Sequence, residues 1–320
     1  MVTPTVAVAT SHDFPELEED WPLLRQALGR LGVAARAEVW TDDRVDWSAF
    51  DAVVIRGTWD YIDRLEPFRS WVRAVEAQTR LVNPAPVVSW NADKRYLADL
   101  AAAGVPIVAT RWVAPGERWE PPAEEFVVKP TVSVGGLHTA RYRLDDVEAA
   151  DRHIRRLHQA GRAVMVQPFM ASVERQGEPC LVYLGGTFSH AVRKSSLLEL
   201  GAAARDHLGE RQRITPIDAS REQRRVAEAA LAAVPATARS LFGATGASTA
   251  VPVPAAAGGS AASAGLAGPI TYARVDLFSA AGGEAVVSEV ELIEPWLFLA
   301  YAPGAADRFA RVLAALVGAG

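Results

Sequence analysis

Thr271–Trp296, TYARVDLFSAAGGEAVVSEVELIEPW, reads as a β-hairpin. A run rich in Val, Tyr, Leu and Phe meets a turn at Gly282 and Gly283, and a second run extends from Ala285 to Ile293. Strand side chains alternate between faces, so Glu289 and Glu291 share one face while Val290 and Leu292 take the core side. Asp276 lies on the partner strand, where it can face both glutamates. Three carboxylates converging on one sheet face repel one another, and protonation or a cation relieves the repulsion. Oxygen-only ligands suit Mg2+, which is commonly held by one or two carboxylates plus the phosphates of a substrate. The competing reading is a surface hairpin whose acids sit in water. A nucleotide site elsewhere in the chain decides between the two.

No Gly-x-x-x-x-Gly-Lys-Ser/Thr or Gly-x-Gly-x-x-Gly sequence is present, so the common phosphate-loop and dinucleotide fingerprints fail. Lys129 instead closes an apolar strand directly before Thr131-Val132-Ser133-Val134-Gly135-Gly136. Successive backbone N–H groups in such a loop form an anion nest, and paired glycines let the backbone approach closely. Lys94 stands one helix earlier. An isolated lysine at a strand end is ordinarily a solvated charge; two lysines, a glycine loop and then an acidic hairpin form a much rarer order.

Thr5–Ala9, Val33–Trp40, Asp51–Ile55 and Leu81–Asn83 read as strands. Between them, Asp20 reads as the cap of one helix, and Phe68, Trp71, Val72 and Val75 mark a second. This order predicts a small open α/β unit over 1–88, with ligands beyond the carboxyl ends of its strands. Ser89–Ala103 is expected as one helix, followed by a strand ending at Lys129, a strand at His138–Leu144, a helix at Asp145–Gln159 and a strand at Ala163–Phe169. Strands at Cys180–Leu184 and Thr187–Val192 flank Gly185-Gly186, and Ser220 with Gln223 forms a capping-box pattern. Units are expected at 89–166 and 167–320. Gly201–Arg213 reads as a mobile loop, and 243–268, uncharged and rich in Ala, Gly, Ser, Thr and Pro, as a flexible insertion. Phe309, Val312, Leu313 and Leu316 mark a closing helix.

The 320 residues carry a net charge of −5, which favours neither nucleic acid nor a membrane surface as partner. No apolar run is long enough to span a bilayer, and no signal peptide is apparent, so a cytoplasmic location is expected. Cys180 is the only cysteine, which leaves no intrachain disulfide and no cysteine zinc cage. His138 and His190 lie in strand patterns and read as structural.

The ordered set FVVKP, VSVGG, VMVQPFM, GEPCLVYLGG, HAVRK, and VDLF paired with SEVELIEP resembles the ATP-grasp superfamily, in the subset of prokaryotic glutathione synthetase and RimK-type ligases. The match runs from about Asn91 to Trp296. RGTWDY, SHAVRK and YARVDL bring it close to the branch containing the D-cycloserine-forming cyclo-ligase, which closes O-ureido-D-serine with ATP. The resemblance implies an α/β (α+β) ATP-grasp fold: an N-terminal open α/β domain and two α+β subdomains clasping ATP.

By that resemblance, Lys94 and Lys129 contact the nucleotide phosphates, and Ser133, Gly135 and Gly136 belong to the loop that closes over them. Gln167, Phe169 and Met170 fall where family members hold adenine, and Glu178 or Glu174 where a ribose is contacted. Arg193 matches an arginine that steadies the transferred phosphoryl group. Asp276, Glu289 and Glu291 match the metal triad, for Mg2+ (two ions, with Mn2+ as a substitute). Glu291 stands where family members often carry Asn, and Cys180 where glutathione synthetase has arginine. On the substrate side, Arg56, Trp59 and Asp60 project from a strand end, with Arg56 and Asp60 expected to read the two charges of an amino-acid-like zwitterion; Glu294 and Trp296 are expected to face the same cleft. The resemblance is compatible with a homodimer, an assembly common in the superfamily.

The leading reading is an ATP- and Mg2+-dependent carbon–nitrogen ligase or cyclo-ligase that activates a carboxylate as an acyl phosphate. An intermolecular ligase joining a peptide or amino acid is the alternative. A nucleotide-binding regulatory module without catalysis is a third reading.

Overall fold

The computed structural model describes residues 3–14, 19–196, 198, 200, 212–235 and 270–319. The 243–268 stretch and all of the Gly201–Arg213 segment before residue 212 lie outside the described residues. Three sheets organise the rest. Strands β1 (Thr5–Thr10), β2 (Ala34–Val39), β3 (Ala52–Gly57) and β4 (Arg80–Val82) form a parallel sheet in the order β2-β1-β3-β4. Strands β5 (Arg111–Val113), β6 (Glu125–Pro130), β7 (Ala140–Arg143) and β8 (Val164–Pro168) form an antiparallel sheet, β5-β8-β6-β7. Strands β9 (Glu178–Leu184), β10 (Thr187–Lys194), β11 (Ile214–Ile217), β12 (Tyr272–Ser279) and β13 (Ala285–Glu291) form the third, β11-β10-β9-β12-β13, also antiparallel.

The five-stranded sheet positions the chemistry because one of its faces changes character along the strands. Leu181, Tyr183, Val275 and Leu277 pack on one face against Val226, Ala230 and Leu231 of the helix Arg221–Ala232. On the other face, Cys180, Val182, Leu184, Val192 and Tyr272 pack with Val6, Val8 and Val54 of the parallel sheet and with Phe309 and Leu313 of the closing helix Ala305–Leu316. Each such side chain, fully buried, contributes about 1.5–3 kcal/mol. Two residues further along the same strands the same face becomes charged: Glu178 follows Cys180, Lys194 follows Val192, and Arg274 and Asp276 follow Tyr272.

β13 is an edge strand, and its outer backbone is covered rather than left open. The Asn91 amide donates to Val290 O at 2.7 Å and accepts from Leu292 N at 2.7 Å. The Tyr96 hydroxyl both donates to Val290 O (2.9 Å) and accepts from Val290 N (2.8 Å). Pinning Val290 and Leu292 fixes the two residues between and before them, Glu289 and Glu291.

Three local expectations change. Ser89–Ala103 is not one helix: Ala85–Asn91 and Tyr96–Ala102 are separate, broken where Asp93 accepts from Arg95 N at 3.0 Å and Lys94 N donates to Thr131 O at 2.8 Å. The break sends Lys94 toward the glycine loop. Asp20 is the first residue of its helix and does not cap it; its carboxylate accepts from Leu297 N (3.0 Å) and Leu299 N (2.6 Å), far along the chain. The capping box at Ser220 and Gln223 forms as the sequence predicts. His138 sits outside β7 with φ +56° rather than within a strand.

Candidate active site

A cleft of about 570 Å³ lies between the β6–β8 face, the charged half of the five-stranded sheet and the strand ends of the parallel sheet. On β6, Phe126 and Val128 face the helix Val147–Gln159, so alternation turns Val127 and Lys129 to the cleft. Lys94 Nζ donates to Ser133 O at 2.7 Å and pairs with Glu289 Oε1 at 2.9 Å, linking the glycine loop to β13. Ser133, Gly135 and Gly136 line the cleft, and the two glycines hold φ of +58° and +73°, which a side chain would oppose. Gln167, Phe169 and Met170 line it as well, with the Gln167 amide donating to Thr110 Oγ1 at 2.8 Å.

The hairpin acids meet as strand alternation predicts, and a bulge adds a fourth group. Asp276 pairs with Glu289 and Arg274 with Glu291, but Leu277 pairs with Val287, so Ser288 is an extra residue on β13. Its hydroxyl donates to Glu178 Oε1 at 2.9 Å. Asp276, only 1% exposed, accepts from Arg274 Nε (2.7 Å) and from Lys194 Nζ (2.7 Å). Lys194 also pairs with Glu178 at 3.0 Å, and Arg274 with Glu291. Five carboxylates (Glu178, Asp276, Glu289, Glu291, Glu294) thus share the region with four cations, Lys94, Lys129, Lys194 and Arg274.

Charge coupling sets the protonation states. Burial alone would raise Asp276, but Arg274 and Lys194 outweigh it and hold its carboxyl well below the usual range. Burial likewise opposes ionisation of Glu289, and Lys94 and Lys129 overcome it. Burial raises Glu291 against the pull of Arg274, with Glu289 and Asp276 adding to the rise. Burial also lowers Lys129, which Glu289 only partly offsets.

Four expected site residues lie elsewhere. Arg193 is exposed: it opposes Pro179 on the strand face away from the cleft, and its stem lies so close to Gly177 that a Cβ there would come within 2.6 Å of Arg193 Cγ. Lys194, the next residue, takes the cleft position. Arg56, 3% exposed, donates to Pro295 O at 2.6 Å and faces Asp20 at 3.6 Å, so burial in the joint between β3 and the 295–299 turn replaces a role on the cleft wall. Asp60 accepts from Trp40 Nε1 at 2.8 Å and is absent from the wall. Glu174 pairs with Arg141 at 2.6 Å, outside the cleft lining. Asp276 lies beneath the wall rather than on it. Glu178, Trp59, Glu294 and Trp296 do line the cleft.

Lys194, Arg274 and Ser288 are absent from the sequence expectations. The parity that pairs Glu289 with Glu291 also places Arg274 beside Asp276, so that signal was legible. The bulge that turns Ser288 inward has no local signature.

His190 illustrates the cost of the apolar half of the same face. Its ring is hydrogen-bonded to Leu297 O (2.9 Å) and Ser189 Oγ (3.0 Å), and burial pushes its pKa down to about 4, against the hydrogen bond to Leu297. The unfolded chain protonates near pH 6.5 while the folded one keeps the ring neutral, so this stability is full above pH 6.5 and falls as the pH drops toward 4. Chemical denaturation at pH 7.5 and 4.5 is expected to show a pH-dependent loss about 2–3 kcal/mol smaller in His190→Gln than in the parent. Equal losses would remove His190 from the acid response.

Comparison with known proteins covers nearly the whole chain. A family model described as the N-terminal domain of D-cycloserine synthetase DcsG matches residues 6–83. The cycloserine biosynthesis protein DcsG of Streptomyces lavendulae is 37% identical over 324 residues, covering 98% of this chain and 97% of that protein. The crystal structure of D-cycloserine synthetase DcsG is similar with a TM-score of 0.82 at 36% identity, covering 98% of this chain and 99% of that one. The ATP-grasp ligase PsnB, solved with its minimal precursor, matches at TM-score 0.60 and 18% identity over 98% of this chain and 100% of that one, a likeness of fold. Among the described residues no helix is long and apolar enough to cross a membrane.

Proposed function

Because the chain belongs to the D-cycloserine synthetase DcsG family of ATP-grasp ligases, we propose that it uses ATP to activate the carboxylate of a small amino-acid-like substrate and closes it into a ring through a carbon–nitrogen bond. The observation that carries this reading is the meeting, in one cleft, of a glycine loop tethered by Lys94, the charged sheet face and the Trp59–Trp296 wall. Phosphoryl transfer depends on positioning and charge neutralisation, so a protein nucleophile is unnecessary. Lys94 and Lys129 draw the nucleotide phosphates to the loop of Ser133, Gly135 and Gly136, while Gln167, Phe169 and Met170 form the adenine side. A substrate carboxylate oxygen then attacks the γ-phosphorus, ADP leaves, and the resulting acyl phosphate is opened by nitrogen. Lys194, not Arg193, is the side chain placed to steady the transferred group.

The donor chemistry fits Mg2+. Asp276, Glu289 and Glu291 offer oxygen only, on one face, and two of them are held ionised by their neighbours. Glu178, Cys180 and Asp276 also cluster, but burial holds the Cys180 thiol protonated and it donates to Glu178 O at 3.4 Å, so sulfur is no part of the set. The metal, when bound, supplies charge neutralisation on the phosphates; two ions, replaceable by Mn2+, belong to this reading. Unit boundaries near 88 and 166 belong to it as well: the parallel sheet ends at β4, before the first, whereas the second falls within β8, whose sheet ends at Pro168 before β9 opens the next.

Substrate identity is tested by ADP release with Mg2+ against O-ureido-D-serine and the common D- and L-amino acids, with mass analysis of the product. O-ureido-D-serine should stimulate ADP formation and yield a ring-closed product. Turnover that requires a second amine would instead establish intermolecular ligation. Nucleotide binding without turnover across the panel would revive the regulatory-module reading.

A further inference from the structure

Six backbone polar groups of the turn after β13 are held by side chains from elsewhere. The Tyr272 hydroxyl donates to Ile293 O (2.7 Å), Arg56 to Pro295 O (2.6 Å) and Arg274 to Trp296 O (3.1 Å). His190 bonds Leu297 O, and Asp20 accepts from Leu297 N and Leu299 N. Within this frame Phe298 is fully buried at φ +52°, a left-handed conformation that costs a bulky residue about 1–2 kcal/mol and persists only where the surroundings enforce it. The backbone is therefore rigid, and two of its side chains line the cleft: Glu294 and Trp296. Glu294 is 7% exposed, and among the described residues its Oε2 has no hydrogen-bond partner; the same holds for Trp296 Nε1. Leaving such a buried atom unpaired costs about 1–3 kcal/mol, so an acceptor and a donor left side by side on a rigid turn need an explanation. Together they complement a ligand that carries an N–H group and an acceptor oxygen.

We propose that Glu294 is the base that takes the proton from the attacking substrate nitrogen, and that Trp296 Nε1 orients the same molecule by donating to one of its oxygens. The assignment rests on the acyl-phosphate reading. In this step the nitrogen lone pair forms the C–N bond, the bond from acyl carbon to phosphate oxygen breaks, inorganic phosphate leaves with that electron pair, and the nitrogen proton passes to Glu294 Oε2. The groups acting on Glu294 are Glu291 and Glu289 from β13, Lys94 from the helix break, Arg56 from β3, Tyr61 from the turn after it and Tyr272 from β12. Burial, then Glu291, raises its proton affinity above that of an ordinary carboxylate, against Lys94 and Arg56.

The test compares the parent with Glu294→Gln in single turnovers with ATP, Mg2+ and O-ureido-D-serine, with and without hydroxylamine to trap the acyl phosphate as a hydroxamate. Hydroxamate should form at close to the parent rate, while the C–N product falls about 10²–10⁴-fold and its pH profile loses the acidic limb. Unchanged product formation would overturn the role. So would hydroxamate and product falling together, which would move Glu294 to the nucleotide side. Should Glu294→Gln not fold, Glu294→Asp keeps the charge and shortens the reach; it should slow product but not hydroxamate, and equal slowing of both overturns the proposal. Absence of hydroxamate from the parent enzyme sinks the acyl-phosphate reading itself, and this role with it, before any variant is compared.

Discussion

Glu289→Gln is expected to lower Mg2+-dependent ADP formation by at least about a thousandfold, the effect of removing about 4 kcal/mol of transition-state stabilisation. Glu289 sits between Lys94 and the other hairpin acids, and its carboxylate is held ionised by Lys94 and Lys129. The glutamine keeps the volume and one acceptor oxygen but not the charge that a divalent cation needs. Asp276→Asn should abolish turnover as well, with a second consequence. Asp276 is the shared partner of Arg274 and Lys194, so its loss leaves each buried cation with one remaining carboxylate, Glu291 and Glu178 respectively, and destabilisation of about 1–3 kcal/mol is expected. Glu289→Gln, about a quarter exposed at its side chain, is the cleaner probe. Turnover measured across a Mg2+ titration, beside thermal melting, separates the two effects. Retained turnover in both variants would remove the metal assignment.

Lys194→Met should reduce turnover by about a hundredfold or more, whereas Arg193→Ala should stay within about threefold of the parent. The two residues are adjacent, but alternation on β10 sends them to opposite faces. Lys194 meets Asp276 and Glu178 in the cleft wall; Arg193 is exposed on the far side. Methionine preserves most of the stem of Lys194 while removing its charge, which leaves two buried carboxylates facing one another. Steady-state kinetics on both variants decides the matter: a large loss in Arg193→Ala with a neutral Lys194→Met would restore the arginine to the phosphoryl site.

Much of the fold was legible because its signals are local. Alternation in Tyr272–Ser279 and Ala285–Glu291, the glycine pair at Gly135 and Gly136, and the capping box at Ser220 and Gln223 each act within a few residues. The helix break at Ala92–Arg95 was not legible, since it depends on Lys94 N finding Thr131 O across the chain. Arg56 and Asp60 illustrate the same limit. Both stand at a strand end where ligands commonly bind, yet Asp20 with Pro295 O takes one and Trp40 the other.

The sequence by itself determined which chemistry is present: three hairpin acids, two lysines ahead of a glycine loop, and the order that joins them. Short-range sterics and strand parity are enough for that. Only the tertiary structure decided which charge meets which. The β10 side chains near the cleft could not be phased from sequence, because both faces of the five-stranded sheet are covered and the apolar pattern favours neither. The Ser288 bulge and the clamped turn at Glu294–Leu299 arise from partners up to 279 positions away. Buried charges settle according to their nearest opposite charge, and that neighbour is a property of the packed chain.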